Sequence, residues 1–405
     1  MTTRVLFFGT HPYSTNGYSY VNIELAREMA KYKDIHYSIF GFQNFPHHNE
    51  THKKARKWPE NVYVYDAFAG ETSKQGGFGF DQVVEQIALC KPDVVVLYND
   101  MVVVSHILDK IKTIPDKKFK VIVYIDQVYP YQKKEYVKRL NEEADYVMAF
   151  TPYWEEIIKE LGCKKPTGYL CHGFNKMLHY PVPKKLARAY FGLKDEDFIV
   201  LNLNRNQPRK RWDTCIQAFA EVVSRHLEDP IKLLVATAVN GAWNLMDLYE
   251  RELQKRGVSM EDGMKHIILI DNPQQLSDDE VNTLMNACDV NINTCSGGGV
   301  ELCNFQSGAI GKPQVAPFVG GLREFLSKDD ALLTYPKLTI YIDASVDGVG
   351  GEAELTDWRD YADAIETYYA DEELRARHGK ALRNKILTKY PWDKIAAHFY
   401  DQIKE

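Results

Sequence analysis

The chain has 405 residues, 45% hydrophobic and 26% charged, with 50 Lys and Arg against 56 Asp and Glu for a formal charge of −6. These globular proportions exclude a disordered or collagen-like chain, and the length suits two domains or three. The acidic balance, with no arginine-rich block, argues against a nucleic-acid partner, and no apolar run reaches the roughly 18 residues that a membrane span needs.

Strand-like and helix-like segments alternate along the chain. Arg4–Phe8 reads as a first strand, not a signal peptide, because its apolar burst runs straight into Gly9 and a turn. Tyr18–Tyr32 is helical, with Val21, Leu25 and Met29 on one face. Asp93–Leu97, Lys120–Ile125 and Tyr146–Phe150 are continuous apolar runs of the kind buried on both faces of a parallel sheet, and a helix follows over Trp154–Leu161. The pattern restarts with a strand at Phe198–Leu203, a helix over Trp212–His226 and strands at Lys232–Ala236 and Ile267–Ile270. A helix near Asp278–Ala287 and a strand at Val290–Asn293 come next, and helices Trp358–Tyr369, Glu372–Lys389 and Trp392–Lys404 close the chain. Such β-α order predicts doubly wound parallel sheets with helices on both faces.

Between the two series, Cys171–Lys185 carries Gly173, Pro181 and Pro183 and no sustained period, as an interdomain link would. The expected division is residues 1–175 plus the final helix 391–405, a linker 176–185, and a second domain 186–390. Ligands of open α/β sheets bind at the C-terminal strand edges, which places the expected site in a cleft between the two halves. The seven cysteines, at 90, 163, 171, 215, 288, 295 and 303, include no C-x-x-C pair. This favours reduced thiols and a cytoplasmic setting over disulfides or structural zinc.

Three segments carry chemistry. In Cys295–Phe325, Gly297-Gly298-Gly299 follow a strand and precede a helix expected to open at about Gly299. Helix N-termini offer unpaired N–H groups and a positive dipole end, which suit an anion or sugar hydroxyls; a tight β-α turn with no ligand would also use such glycines. In Leu201–Phe219, Arg205, Arg209, Lys210 and Arg211 crowd the loop after a buried strand. Cations there can neutralise a diphosphate, Arg through a bidentate fork, although a solvated basic loop has the same composition. The first β-α loop, Gly9–Ala26, is long and polar and contains Gly17, but lacks the G-x-G-x-x-G dinucleotide fingerprint, and no P-loop occurs.

Other residues weigh less. Asp195-Glu196-Asp197 precedes a strand instead of ending one, so it reads as a solvated turn. His47, His48 and His52 fall in a polar loop with no convergent further ligand, and no metal site is expected. His11 could face the cleft, His172 falls at the link, and Tyr129 and Tyr131 after Asp126 are acceptor-side candidates.

Taken together, these motifs resemble those of retaining nucleotide-sugar glycosyltransferases of family 4, which have the GT-B fold. That family reads Gly-Arg, then Lys, Asp and Ala at the spacing kept here by Asn204-Arg205, Lys210, Asp213 and Ala218. Its Glu-Gly-Phe-Gly-Leu…Glu…Gly-x-Pro block is similar to Gly298-Gly299-Val300-Glu301-Leu302, Gln306, Gly311 and Pro313. Leu276–Asn293, Tyr169–Asn175 and the segment TNGYSYVNIELAREMAK resemble the family's remaining stretches in the right order. Two family glutamates fall on Gly298 and Gln306, a departure that puts donor preference or catalysis itself in question.

The resemblance implies an α/β chain of two Rossmann-like domains that moves a hexose from a nucleotide diphosphate sugar to an acceptor hydroxyl with retention, needing no metal or other cofactor. It implies Arg205 and Lys210 as stabilisers of the leaving diphosphate, with Asp126 the candidate catalytic group of the first domain. Gly17, Leu276, Gly298, Gly299, Val300, Glu301, Leu302 and Gln306 are the further donor-binding candidates. Glu301 would replace the carboxylate missing at Gly298, and Gln306 would hold the ribose without a charge. Similarity to virus-encoded members makes GDP-mannose the expected donor, a UDP-sugar being possible, and host cytoplasm the location. The acceptor would be a glycan, glycoprotein or glycolipid. Two alternatives stand beside this: a nucleotide-sugar 2-epimerase of the same fold, disfavoured by the scarcity of obvious paired carboxylates, and a catalytically inactive nucleotide-sugar-binding subunit.

Overall fold

The structure, a computed structural model, describes residues 2–46, 56–271 and 273–405; His47, His48 and His52 lie outside the described residues. The chain forms two compact units, Met1–Asn175 with Tyr390–Glu405, and Lys176–Lys389.

The first unit holds a seven-stranded parallel sheet. Its strands are β1 (Thr3–Thr10), β2 (Ile35–Phe42), β3 (Tyr63–Asp66), β4 (Val94–Asp100), β5 (Lys120–Asp126), β6 (Tyr146–Ala149) and β7 (Thr167–Tyr169), in the order β3-β2-β1-β4-β5-β6-β7. The apolar run of β1 explains why it is central. Leu6 and Phe8 enter one core with the helices Val83–Cys90 and Met101–Ile111, while Phe7 turns to Tyr37, Tyr98 and Phe399 on the other face. Alternate residues thus find apolar partners on both sides. The helix Gly17–Met29 starts at an Asn16–Ser19 capping box, a feature of about 1 kcal/mol. The helix Trp392–Lys404 closes this unit, with Tyr400 stacked on Tyr32 at 4.1 Å and Lys404 paired with Asp34 at 2.7 Å.

The second unit holds a six-stranded parallel sheet. It comprises β8 (Phe198–Asn202), β9 (Ile231–Ala236), β10 (Ile267–Ile270), β11 (Val290–Ile292), β12 (Gln314–Pro317) and β13 (Leu332–Thr334), in the order β10-β9-β8-β11-β12-β13. Phe198 and Val200 point into one core, Ile199 and Leu201 into another. An antiparallel hairpin, β14 (Leu338–Ile342) with β15 (Gly351–Leu355), departs from the expected β-α alternation.

In both sheets the strand order reverses direction beside the first strand. Consequently the loops after β1 and β4, and those after β8 and β11, leave adjacent strands on opposite faces and open a crevice at the C-terminal edge. The functional candidates concentrate at these edges.

Candidate functional site

In the second unit, β8 and β11 are neighbours in register, with Val290 opposite Val200 and Asn291 opposite Leu201. The loops that follow them are therefore brought together, and hydrogen bonds stitch them. The Ser296 amide donates to the Arg209 carbonyl at 2.9 Å. The Thr294 hydroxyl donates to the carbonyls of Lys210 at 3.1 Å and Arg211 at 2.9 Å. Trp212 Nε1 donates to the Asn204 carbonyl at 3.1 Å, pinning the start of the basic loop.

The four cations of this loop have different environments. Arg205 is exposed. Arg211 is engaged by Asp213 through two bonds of 2.9 and 2.7 Å. Arg209 Nη1 lies 3.3 Å from Glu301 Oε1, and the Lys210 ammonium contacts Glu301 Oε2. Lys210 and Glu301 are both buried, their side chains 8% and 4% exposed. Burial and the neighbouring Arg209 push the Lys210 ammonium below its usual range, against the pull of Glu301. Glu301 stays below the usual carboxylate range although burial opposes it, because Lys210 and Arg209 hold its charge.

The backbone explains how Glu301 gets there. It is the cap residue of the helix Leu302–Ala309, in the left-handed region at φ 68 and ψ 69, and its side chain does not cap that helix. Such a conformation costs a non-glycine residue about 1–2 kcal/mol. It turns the carboxylate back toward Lys210, where Asn293 Nδ2 adds a bond of 2.9 Å. The same Nδ2 reaches Asn304 Oδ1 at 2.7 Å, and Asn304 Nδ2 reaches Gln314 Oε1 at 3.0 Å, so a buried amide network anchors the carboxylate to the sheet.

The glycines allow close packing within the turn. A Cβ on Gly298 would fall 2.0 Å from Glu301 Oε1, so the carboxylate occupies the space a side chain there would need. A Cβ on Gly321 would fall 1.7 Å from the Gly299 carbonyl oxygen, and the Gly321 amide donates to the Gly298 carbonyl at 3.0 Å. The helix opens at Leu302 instead of about Gly299, because the glycines form an extended turn that receives the Gly320-Gly321 loop. Val300, Gly298 and Gly299 are buried; Leu302 and Gln306 are half-buried on the helix. Leu276 is half-buried against the cluster of Ile199, Leu201, Leu284 and Met285.

Gly17 and Asp126 belong to the first unit. Gly17 is the first residue of the helix Gly17–Met29, and the hydroxyl of the next residue, Tyr18, donates to Asp126 Oδ2 at 2.6 Å. Asp126 ends β5 in register with Asp100, which ends β4. Burial, then Asp126 and Asp100, push the Tyr18 phenol well above its usual range. Asp100 caps the helix Met101–Ile111 through the amides of Val102 and Val103 at 2.9 and 3.0 Å, and burial raises its carboxyl. Sequence reasoning named Asp126 but missed Asp100, which follows Asn99 at the end of β4 and comes beside Asp126 only through the pairing of β4 with β5.

The remaining candidates separate clearly. His11 is buried against Tyr13 and Trp58, and its Nδ1 accepts from the Tyr13 amide at 3.2 Å. His172 is buried among Tyr98, Tyr124 and Phe150, with burial lowering its pKa to about 3. Tyr129 is buried, so stacking on an acceptor would require it to move; Tyr131 is exposed. Asp195 and Asp197 lie before β8, where their carbonyls accept from Arg188 at 2.6 and 2.7 Å. Among the described residues no group of three or more His, Cys, Asp or Glu converges as metal ligands, and no helix is long and apolar enough to cross a membrane.

No protein-family model matches the chain, and no curated protein matches it in sequence. Solved structures do match. A sucrose-phosphate synthase from Thermosynechococcus elongatus gives a TM-score of 0.74 at 16% identity, covering 99% of this chain and 98% of that one. Anabaena HepE in complex with UDP and glucose gives 0.72 at 15% identity over 100% of both chains. Its complex with UDP-glucose gives 0.71 at 15% over 99% of both. A mutant of S. aureus TarM in complex with UDP, α-GlcNAc-glycerol and fondaparinux gives 0.71 at 11% over 100% of both. At these identities the likeness is one of fold: two Rossmann-like domains with parallel sheets, as in GT-B glycosyltransferases.

Proposed function

We propose that the protein transfers a sugar from a nucleotide diphosphate sugar to an acceptor hydroxyl. The observation that carries this reading is the pairing of a cationic turn, Arg205–Arg211, with the glycine turn and helix start at Gly298–Leu302, at the strand-order reversal of a parallel sheet. In the transfer, the bond from the anomeric carbon to the β-phosphate oxygen breaks and a bond to the acceptor oxygen forms. The acceptor proton leaves with the departing phosphate, and the new bond takes the same face as the old. Negative charge grows on the diphosphate, where Arg205 and Lys210 would stabilise it together with the amides at the helix start. Preorganised donors of this kind act without a metal. Amides of Gly299–Leu302 would hold the sugar, Leu276 would pack on the base and Gln306 would bind the ribose. In the first unit, Gly17 belongs to the donor-binding set, and Asp126, held by Tyr18, is the acceptor-side carboxylate.

GDP-mannose is the donor the sequence resemblance favours. The UDP and UDP-glucose complexes of the Anabaena neighbour favour a UDP-hexose as the second reading. The paired Asp100 and Asp126 also keep a nucleotide-sugar epimerase in play, since proton chemistry uses such pairs. Incubation with each donor, with and without an acceptor panel of glycans and glycolipids, tests all of these. Acceptor-dependent release of nucleoside diphosphate with a retained anomeric configuration is expected. Conversion of the donor's sugar without acceptor would establish the epimerase instead, and binding without any turnover would leave a donor-binding subunit.

A further inference from the structure

The basic turn packs against a carboxylate from the neighbouring glycine turn that its own chemistry would not call for. Glu301 reaches the two central cations from a left-handed backbone position, leaves its own helix uncapped, and fills the volume that Gly298 lacks. Arg209, Lys210 and Asn293 all bind it, and it is buried. A carboxylate so anchored is a fixed part of the turn, not a stray surface pair.

We propose that Glu301 is a positioning residue that keeps the Lys210 ammonium charged and fixed beside Arg209, leaving exposed Arg205 as the outermost contact for an anionic diphosphate. The proposal rests on the donor reading above but concerns a residue with a different task from sugar contact. Its logic is electrostatic. Lys210 faces burial and the Arg209 guanidinium, both of which favour losing its proton. Facing it from the β11 loop are Cys295 and Glu301, and from the next helix Cys303. Burial pushes the Cys295 thiol up to about 12 and raises Cys303, so neither supplies an anion near neutral pH. Asp213 is engaged by Arg211. Glu301 is therefore the anion that holds the proton on Lys210, and without it a buried lysine beside an arginine would release that proton at lower pH.

The test compares wild type, Glu301→Gln, and the exchange Gly298→Glu with Glu301→Gly, which returns a carboxylate from the neighbouring position and relieves the left-handed backbone. Titration of the Lys210 amine by 15N NMR without ligand is read beside UDP and GDP affinity from pH 6 to 9. The expected result is a lower Lys210 midpoint in Glu301→Gln, restored in the exchange. Nucleotide affinity in Glu301→Gln would be near wild type at pH 6 and at least tenfold weaker at pH 9. An unmoved midpoint would overturn the proposal. So would tighter nucleotide binding by Glu301→Gln at every pH, which would make the carboxylate a competitor for the anion's place. A moved midpoint in proteins that bind no nucleotide would support the role of Glu301 and remove the donor reading instead.

Discussion

The two units place opposite chemistry at the same topological position. At the reversal in the first sheet stand Tyr18, Asp100 and Asp126, with His172 nearby against Tyr98 and Tyr124. At the reversal in the second stand Arg205, Arg209 and Lys210 with one internal carboxylate. In the first region burial lowers the His172 pKa to about 3, which keeps that imidazole neutral near neutral pH. In the second, burial pushes the Lys210 ammonium below its usual range, and Glu301, paired with Lys210 and Arg209, pulls against that. A shared fold thus sets where chemistry can occur, and a few loop residues set its sign.

Removing one group from each region should separate their roles most strongly. Arg205→Ala should lower sugar transfer by about 100- to 1000-fold, the scale of one lost preorganised donor, and should weaken nucleotide binding with it. Asp126→Asn should lower transfer by about 100-fold, the scale of a positioned proton-transfer group, and leave nucleotide affinity in place. Steady-state kinetics beside calorimetric binding distinguishes the two, and equal effects on binding would erase the contrast.

Stability experiments sharpen the comparison further. Gly321→Ala puts a methyl carbon 1.7 Å from the Gly299 carbonyl oxygen, and overpacking against backbone should cost about 3 kcal/mol in denaturant unfolding. In the first unit, the His172 pKa of about 3 lies below the unfolded value. Its contribution is full above roughly pH 6.5 and is lost as pH falls toward 3, because the unfolded chain binds the proton first. By pH 5 the loss is about 2 kcal/mol, so His172→Phe should flatten the acid limb of the stability curve by that amount. Gly298→Ala should cost less than Gly321→Ala, about 2 kcal/mol, because its methyl meets the Glu301 side chain, held by Arg209, Lys210 and Asn293, instead of backbone.

Periodicity made the strands around β1, β4, β5 and β8 legible, since a strand buried on both faces reads as an unbroken apolar run. The helices Glu372–Lys389 and Trp392–Lys404 begin and end where the sequence predicts. The hairpin of β14 and β15 gave no clear signal because Leu338–Ile342 is mostly exposed and has no buried face to impose a period. At the site, spacing identified the basic turn and the glycine turn, but not their stitching. That depends on β8 and β11 being neighbours, which spacing along the chain does not reveal. Nor could it show that Glu301 bends back through a left-handed backbone, a conformation usually signalled by glycine. The Asp100–Asp126 pair was hidden for the same reason, since 26 positions separate partners that one strand pairing joins.

On the proposed reading, the Arg205–Arg211 turn binds the diphosphate of a nucleotide sugar. Calorimetric titration of UDP-glucose and GDP-mannose into wild type and Arg205→Ala, at matched thermal stability, tests it most directly. The account predicts saturable binding of at least one donor by wild type, weakened at least tenfold in the variant. Equal affinity in both proteins, or no binding of any nucleotide sugar by wild type, would contradict it.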